Sequence, residues 1–341
     1  MYSIEINRWT RCLRSGILNQ IRVFGLEDGT TMKLRDVVQL LLLSAIWGAS
    51  FLLISIAVGS FPPAWVALLR LFFGSLFLWA VLLTRRRKLP PLRLIVPLLL
   101  VAFFNNAVPF VLFPLGERVV PSNIAAVLNA TTPIWTLLLG MSFMGKKAEG
   151  ATIPGVVLGF LGVILVVFSH TAVAANSSRH DYLLGIGFIA VASAAYAIAT
   201  VLAKSKLVGL DPIGLATTQL SLGFVMVLPV ALLGAHPAAV KLSSLAAAIT
   251  LGVLGSGLAY LIFYSLLDRV SSTRVVSVTY LGPIWGLFWG RLAHETIPWG
   301  AYAGVGIVIA GLVLLSRTAA PGGSASRDLE GCEEMDGVRR A

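Results

Sequence analysis

The sequence predicts an all-α integral membrane protein of ten transmembrane helices, arranged as two inverted five-helix repeats. Three observations lead there. Apolar runs long enough to cross about 30 Å of hydrocarbon recur along most of the 341 residues. A stretch of the first half returns in the second at a constant offset. Basic residues fall in short clusters that alternate between heavily and lightly charged loops.

Composition sets the class. Hydrophobic residues make up 57% of the chain and charged residues 12%, where an ordinary globular domain is about a quarter charged. No stretch between the apolar runs is long enough for a soluble catalytic domain. The net charge of +11 sits in clusters between apolar runs rather than on one face, so it reads as a set of topology determinants and no nucleic-acid partner is expected. Cys12 and Cys332 lie outside the runs near opposite ends, which argues against a disulfide or a CxxC metal site. His170, His180, His236 and His294 fall at run ends or in loops, with no HExxH pattern. No metal or other cofactor is expected, and no enzyme: a nucleophile with its base, a metal cluster or paired acids inside the runs would be needed.

Residues 1–36 are polar and basic, with Arg8, Arg11, Arg14, Arg22, Lys33 and Arg35. Met32 opens Met-Lys-Leu-Arg-Asp directly before the first run. The preceding segment therefore reads equally well as an amphipathic surface helix or as sequence upstream of the true start. Hydropathy then lays down spans at 37–59, 63–84, 94–115, 121–144, 151–169, 183–204, 212–234, 243–266, 272–292 and 298–316. Their breaks coincide with Phe61-Pro62-Pro63, the Arg85–Lys88 run before Pro90-Pro91, Asp211-Pro212 and Pro298. Residues 317–341 carry a Pro-Gly-Gly-Ser stretch and Asp328, Glu330, Glu333, Glu334 and Asp336, the composition of a flexible tail.

Loop charges set the orientation. Segments on the amino terminus's side hold 21 Lys and Arg, whereas the opposite loops hold Arg118, Arg179, Lys241 and Arg291. Both termini are thus expected in the cytoplasm. The duplication sets the repeat. Moving residues 113–140 along by 150 positions superposes Phe113 on Phe263, Val120 on Val270, Ser122 on Ser272, Pro133-Ile134-Trp135 on Pro283-Ile284-Trp285, Leu137 on Leu287 and Gly140 on Gly290. An offset of 149 aligns Trp47 with Tyr196, Pro63 with Pro212, Arg70 with Gln219 and Gly74 with Gly223. Repeats over 37–169 and 183–316 of five spans each, an odd number, must insert in opposite senses. Inverted repeats around a midplane site are an architecture of secondary transporters.

Arg70 is the sharpest site candidate because it lies well inside the second span. A charge there costs at least ~2.5 kcal/mol on insertion scales, so it must face protein or water. It would either attract an anionic group of a substrate or be held by carbonyls and a neighbouring span. Asn105, Asn106 and Asn129 need partners for the same reason, between helices or in a cavity. Pro133 and Pro283 each remove a helix hydrogen bond, freeing carbonyls near Asn129 and Thr279 and permitting a bend. Trp47, Trp135, Tyr196, Tyr260, Tyr280 and Trp285 fall within spans, as a cavity wall or as packing; Gln219 joins the set as the repeat partner of Arg70. Gly155, Gly159 and Gly162, with Gly300, Gly304 and Gly311, are spaced for close helix approach. No Asp or Glu stands in mid-span; Glu117, Asp268 and Glu295 are at edges. That favours facilitated exchange or uniport, or at most proton coupling through an edge acid.

Several of these residues carry a family resemblance. Ile46-Trp47-Gly48-Ala49-Ser50-Phe51, Pro63 with Ala67-Leu68-Leu69-Arg70, and Pro133 in the first half are joined by Gly255-Ser256-Gly257-Leu258-Ala259-Tyr260, Pro283, Glu295, Gly304 and Gly311 in the second. In order and repetition over 37–316 they resemble the EamA-type permeases of the drug/metabolite transporter superfamily. The resemblance implies a multi-pass inner-membrane carrier that exports or exchanges a small solute: an amino acid, an aromatic metabolite or a drug. Its partners would be that small molecule and the lipid bilayer. The chain departs from the family at Gly145-Lys146-Lys147, where a Glu often stands, with Glu149 three residues on. The alternatives are a channel, an adaptor or a nucleotide-sugar exchanger. A channel should show a repeated ring of carbonyl-rich or charged filter residues, which this sequence does not, and a diphosphate ligand would need several cations where the spans offer Arg70.

Overall fold

The computed structural model describes residues 33–144, 152–170, 178–207, 209–267, 269 and 278–318. The basic amino-terminal segment before Lys33, the tail from 319, both cysteines, Glu149, Asp268 and Ser272 lie outside these residues. The described residues are helical, and none of them forms a strand. We number the α-helices α1 Leu34–Ala57, α2 Pro63–Thr84, α3 Ile95–Ala102, α4 Val108–Gly116, α5 Ser122–Asn129, α6 Thr132–Met144 and α7 Thr152–His170. They continue as α8 Arg179–Lys206, α9 Pro212–Leu233, α10 Leu242–Gly252, α11 Ala259–Leu267, α12 Val278–Leu292 and α13 Trp299–Thr318. Among the described residues, seven continuous helical runs are long and apolar enough to cross a membrane.

Local chemistry explains where the helices start. Pro63 opens α2 after an extended Pro62, and Pro212 opens α9 after Asp211, whose Oδ1 accepts the Gly214 N–H at 2.9 Å. Proline suits the first turn because its missing N–H would have had no partner there. Ser178 caps α8 by accepting the Asp181 N–H at 3.1 Å. Large side chains such as Leu41, Leu42, Phe72, Leu76, Leu99, Val225 and Phe288 stay exposed on outward faces, as a lipid-bathed surface requires. The interior is apolar too: α5 is buried almost all round and packs Ile124, Ala126 and Val127 among Phe51, Ile54 and Ile189.

Two spans differ from simple hydropathy rods. Between α3 and α4 residues Phe103–Ala107 form a π-helix, and between α10 and α11 Val253–Leu258 do the same. These segments begin 150 residues apart, the offset of the duplicated stretches. The span read as 121–144 is broken into α5 and α6 at Ala130-Thr131. Pro133 therefore starts a helix instead of kinking one. The Asn129 carbonyl is not left free, since the Thr132 hydroxyl donates to it at 2.7 Å. Pro283, by contrast, lies inside α12.

Glycine explains one close helix pair. Helices α7 and α13 pack along their length, and a Cβ placed on Gly162 would come within 2.7 Å of the Gly304 carbonyl oxygen. A Cβ on Gly304 would meet the Gly162 carbonyl at the same distance, and Gly155 and Gly311 repeat the pattern further along. The small-residue spacing visible in the sequence is thus used for backbone-to-backbone contact.

Candidate functional site

The two π-helices each lie against a helix from the other part of the chain. Val253–Leu258 packs on α2 and Phe103–Ala107 on α9. A π-turn inserts one residue into the helical ladder and so re-aims neighbouring side chains and carbonyls, which is why such turns mark functional positions. Arg70 reaches from α2 into the second of them: its Nε donates to Ser256 Oγ at 2.9 Å. In the first, Asn105 Nδ2 donates to Gln219 Oε1 on α9 at 3.2 Å and to the Tyr260 hydroxyl at 3.0 Å. The two crossings correspond, since Arg70 and Gln219 are the residues that the 149-residue offset aligns. Glycine repeats the correspondence. A Cβ on Gly74 would meet Ser256 Cβ at 3.2 Å, and a Cβ on its aligned partner Gly223 would meet Asn106 Cβ at 3.1 Å.

Arg70 is 7% exposed, and it is the one buried basic side chain among the described residues. Its guanidinium carbon sits 3.7 Å from the centroid of the Phe110 ring, an attraction of about 0.5–2 kcal/mol. Among the described residues no carboxylate lies within ion-pair distance of it; the ion pairs there join Arg87 to Asp211, Arg269 to Asp36 and His180 to Asp181. A guanidinium offers five donors in a rigid fork, and Ser256 takes one of them. The remaining donors suit a planar anion such as a carboxylate.

Of the sequence-predicted residues, Asn105 bonds Gln219 and Tyr260, and Tyr260 and Tyr196 lie within electrostatic reach of Arg70. Tyr196 stacks on Phe113 at 5.9 Å between centroids and lies within electrostatic reach of Arg70. The others have their contacts elsewhere. Trp47 packs on Phe263, with centroids 5.6 Å apart. Trp285 donates to Ser44 Oγ at 2.9 Å and presses its Cβ on Gly48 in the seam between α1 and α12. Trp135 donates to Thr131 Oγ1 at 3.1 Å and meets the Phe160 ring edge-on. The repeated indoles thus sit against different helices. Tyr280 is half-buried at the start of α12, and Asn129 Oδ1, at the end of α5, is buried with no hydrogen-bond partner. Sequence reasoning missed Ser256 and Phe110 as neighbours of Arg70. The Gly255-Ser256-Gly257 run, one small polar group between two glycines inside an apolar span, is the signal that points to Ser256.

Polar links join distant parts of the chain at both ends of the bundle. Where α1 begins, Asp36 pairs with Arg269 at 3.2 Å, and beyond α2 Arg87 pairs with Asp211 at 3.3 Å. At the opposite end Glu295 accepts the Ser122 and Asn123 N–H groups at 3.0 and 3.2 Å, capping α5 with a negative charge. Beside it, just past α4, Glu117 is buried. Burial and the neighbouring Glu295 carboxyl push the Glu117 carboxyl well above the ordinary carboxylate range, against the opposing pull of Arg70. The folded chain therefore holds a proton that the unfolded chain releases. The stability this adds is present below the unfolded pKa and is lost as pH rises through the folded one. The melting temperature of the purified protein in detergent is expected to fall with rising pH across that window, and Glu117→Gln to flatten the fall; identical slopes would contradict it.

The model of the EamA-like transporter family matches this chain twice, over residues 35–168 and 183–317. The chain belongs to the EamA-like transporter family. An EamA-like protein is a membrane transporter and not an enzyme, with a lipid bilayer around it and a small molecule as its substrate. Relatives agree. A protein of Archaeoglobus fulgidus named an uncharacterized transporter is 26% identical over 80% of this chain and 95% of its own length. The uncharacterized inner membrane transporter YedA of Escherichia coli is 29% identical over 80% of this chain and 87% of its own. YvbV of Bacillus subtilis, also named an uncharacterized transporter, is 24% identical over 83% and 92%. A solved crystal structure shares the fold of this EamA-like chain with a TM-score of 0.60 and 17% identity, covering 85% of this chain and all of that one.

Proposed function

We propose that this EamA-like transporter is a secondary carrier that moves a small solute with a carboxylate and an apolar or aromatic body, in efflux or exchange, by alternating access. The observation that carries this reading is the buried Arg70 guanidinium, free of any carboxylate among the described residues and set where two corresponding π-helices cross α2 and α9. Arg70 takes the anionic group, Asn105 and Gln219 supply an acceptor and donors beside it, and Tyr196 borders the site. Ten transmembrane helices, in inverted repeats over 37–169 and 183–316, fit the corresponding crossings and the loop charges. Both termini then face the cytoplasm, and the membrane is of the bacterial inner type named for YedA. A nucleotide sugar is disfavoured because Arg70 would meet a diphosphate alone.

Counterflow tests the carrier reading. Purified protein in liposomes preloaded with unlabelled L-phenylalanine is expected to take up labelled L-phenylalanine faster than empty liposomes do. A channel or adaptor gives no such acceleration. If preloading has no effect for L-phenylalanine or for any amino acid or analogue to which overexpression confers resistance, the reading fails.

A further inference from the structure

Glu117 is a buried acid that the solute site leaves without a role. It follows α4 directly, is 6% exposed, and neither carboxyl oxygen has a hydrogen-bond partner. An ionised carboxylate buried without a donor is strongly disfavoured, whereas a neutral acid is tolerated. The elements around it supply few charges. Helix α8 packs on Gly116 through Gly185 and Ile189, and it turns Tyr182 away to donate to the Val167 carbonyl at 3.3 Å. Further along α8, Tyr196 faces Phe113 and Arg70. Helix α5 contributes Ser122 and Asn123, and both polar atoms of the Asn123 side chain are buried without partners. The charged groups that act on Glu117 are Glu295, from the connection between α12 and α13, and Arg70 from α2.

These two neighbours differ in what they reach. Glu295 is partly exposed at the end of the bundle. Arg70 lies in the solute site. We propose that Glu117 is a proton-binding site, loaded and emptied past Glu295, whose occupancy is coupled through Arg70 to the solute, so that one proton accompanies each anionic group carried. The coupling is electrostatic and reciprocal. An empty Arg70 favours the carboxylate of Glu117; a solute carboxylate on Arg70 cancels that charge and favours the protonated acid. Proton and solute then bind together and leave together. A solute accumulated inside drives both outward, while an acid exterior drives both inward. This inference rests on the carrier reading above, and its test separates the two.

Infrared titration of the purified protein needs no solute. Wild type is expected to show a protonated carboxyl band that persists at neutral pH, is absent from Glu117→Gln, and is lost at lower pH in Glu295→Gln, where the second acid no longer opposes ionisation. A spectrum unchanged by Glu117→Gln overturns the proposal. In liposomes, acid outside and neutral inside is expected to drive accumulation of labelled L-phenylalanine by wild type, about tenfold per unit of gradient at one proton per solute. Glu117→Gln is expected to keep counterflow, which needs no net proton movement, and to lose the accumulation. Wild-type counterflow without acid-driven accumulation overturns the coupling and leaves the carrier intact. Absent counterflow counts against the carrier reading for this probe, and the infrared result still decides the site.

Discussion

Replacing Arg70 with Gln is expected to lower counterflow by about 10–100-fold, the loss of one charge-assisted hydrogen bond worth about 1.5–3 kcal/mol. The protein should still reach the membrane and elute as a single species. Gln can keep a hydrogen bond to Ser256 Oγ, so the local frame on the second π-helix survives while the charge does not. Arg70→Lys separates charge from shape. Lysine keeps the charge but gives up the planar fork and the flat contact with the Phe110 ring, 3.7 Å away. It is expected to restore part of the counterflow and to raise the concentration for half-maximal exchange. Full counterflow in Arg70→Gln would reduce Arg70 to a packing element; equal and total loss of folded protein in both variants would do the same.

Gly304→Val is expected to destabilise the protein by at least about 1–3 kcal/mol, because overpacking here displaces backbone. A Cβ at 304 lies 2.7 Å from the Gly162 carbonyl oxygen and 3.0 Å from the Val166 nitrogen. Gly306, one turn-face away on the same helix, has nothing within 4 Å of a Cβ. Gly306→Val should therefore leave the melting temperature in detergent near that of wild type, while Gly304→Val lowers it clearly. Equal melting temperatures for the two variants would mean that the α7–α13 contact contributes little.

Sequence made Arg70 legible because a charge inside an apolar span has no bland explanation. Gln219 is different: alone it is an unremarkable amide, and it became a candidate through its alignment with Arg70. The same offset, followed into the structure, places Gly74 and Gly223 in matching contacts. The π-helices at 103–107 and 253–258 left no mark in hydropathy, since an extra residue per turn changes hydrogen-bond pairing and not polarity. The break at Ala130-Thr131 was masked in the same way, although Thr131 and Thr132, each bonded to a carbonyl three residues back, are the residues that close it. At the indoles the repeat shows in the motif and not in the hydrogen-bond partners. Trp135 and Trp285 share a motif, yet their partners are Thr131 and Phe160 in one case and Ser44 and Gly48 in the other. Glu117 read as an acid at a span edge, because hydropathy assigns every span end to water. The α8 helix, which packs on the adjacent Gly116 through Gly185 and Ile189, is distant in sequence and invisible to a local window.

The α7–α13 contact limits how the molecule can deform. One helix falls in the first family match and the other in the second, and they touch backbone to backbone through Gly155, Gly162, Gly304 and Gly311. Separating them by even a small gap forfeits dispersion contacts along the whole pair, those of Val166, Val308 and Leu315 against the glycines included. This line therefore resists any parting of the two matched regions along it. A side chain added at any of these glycines acts as a wedge between the two matched regions, at a place far along the chain from Arg70.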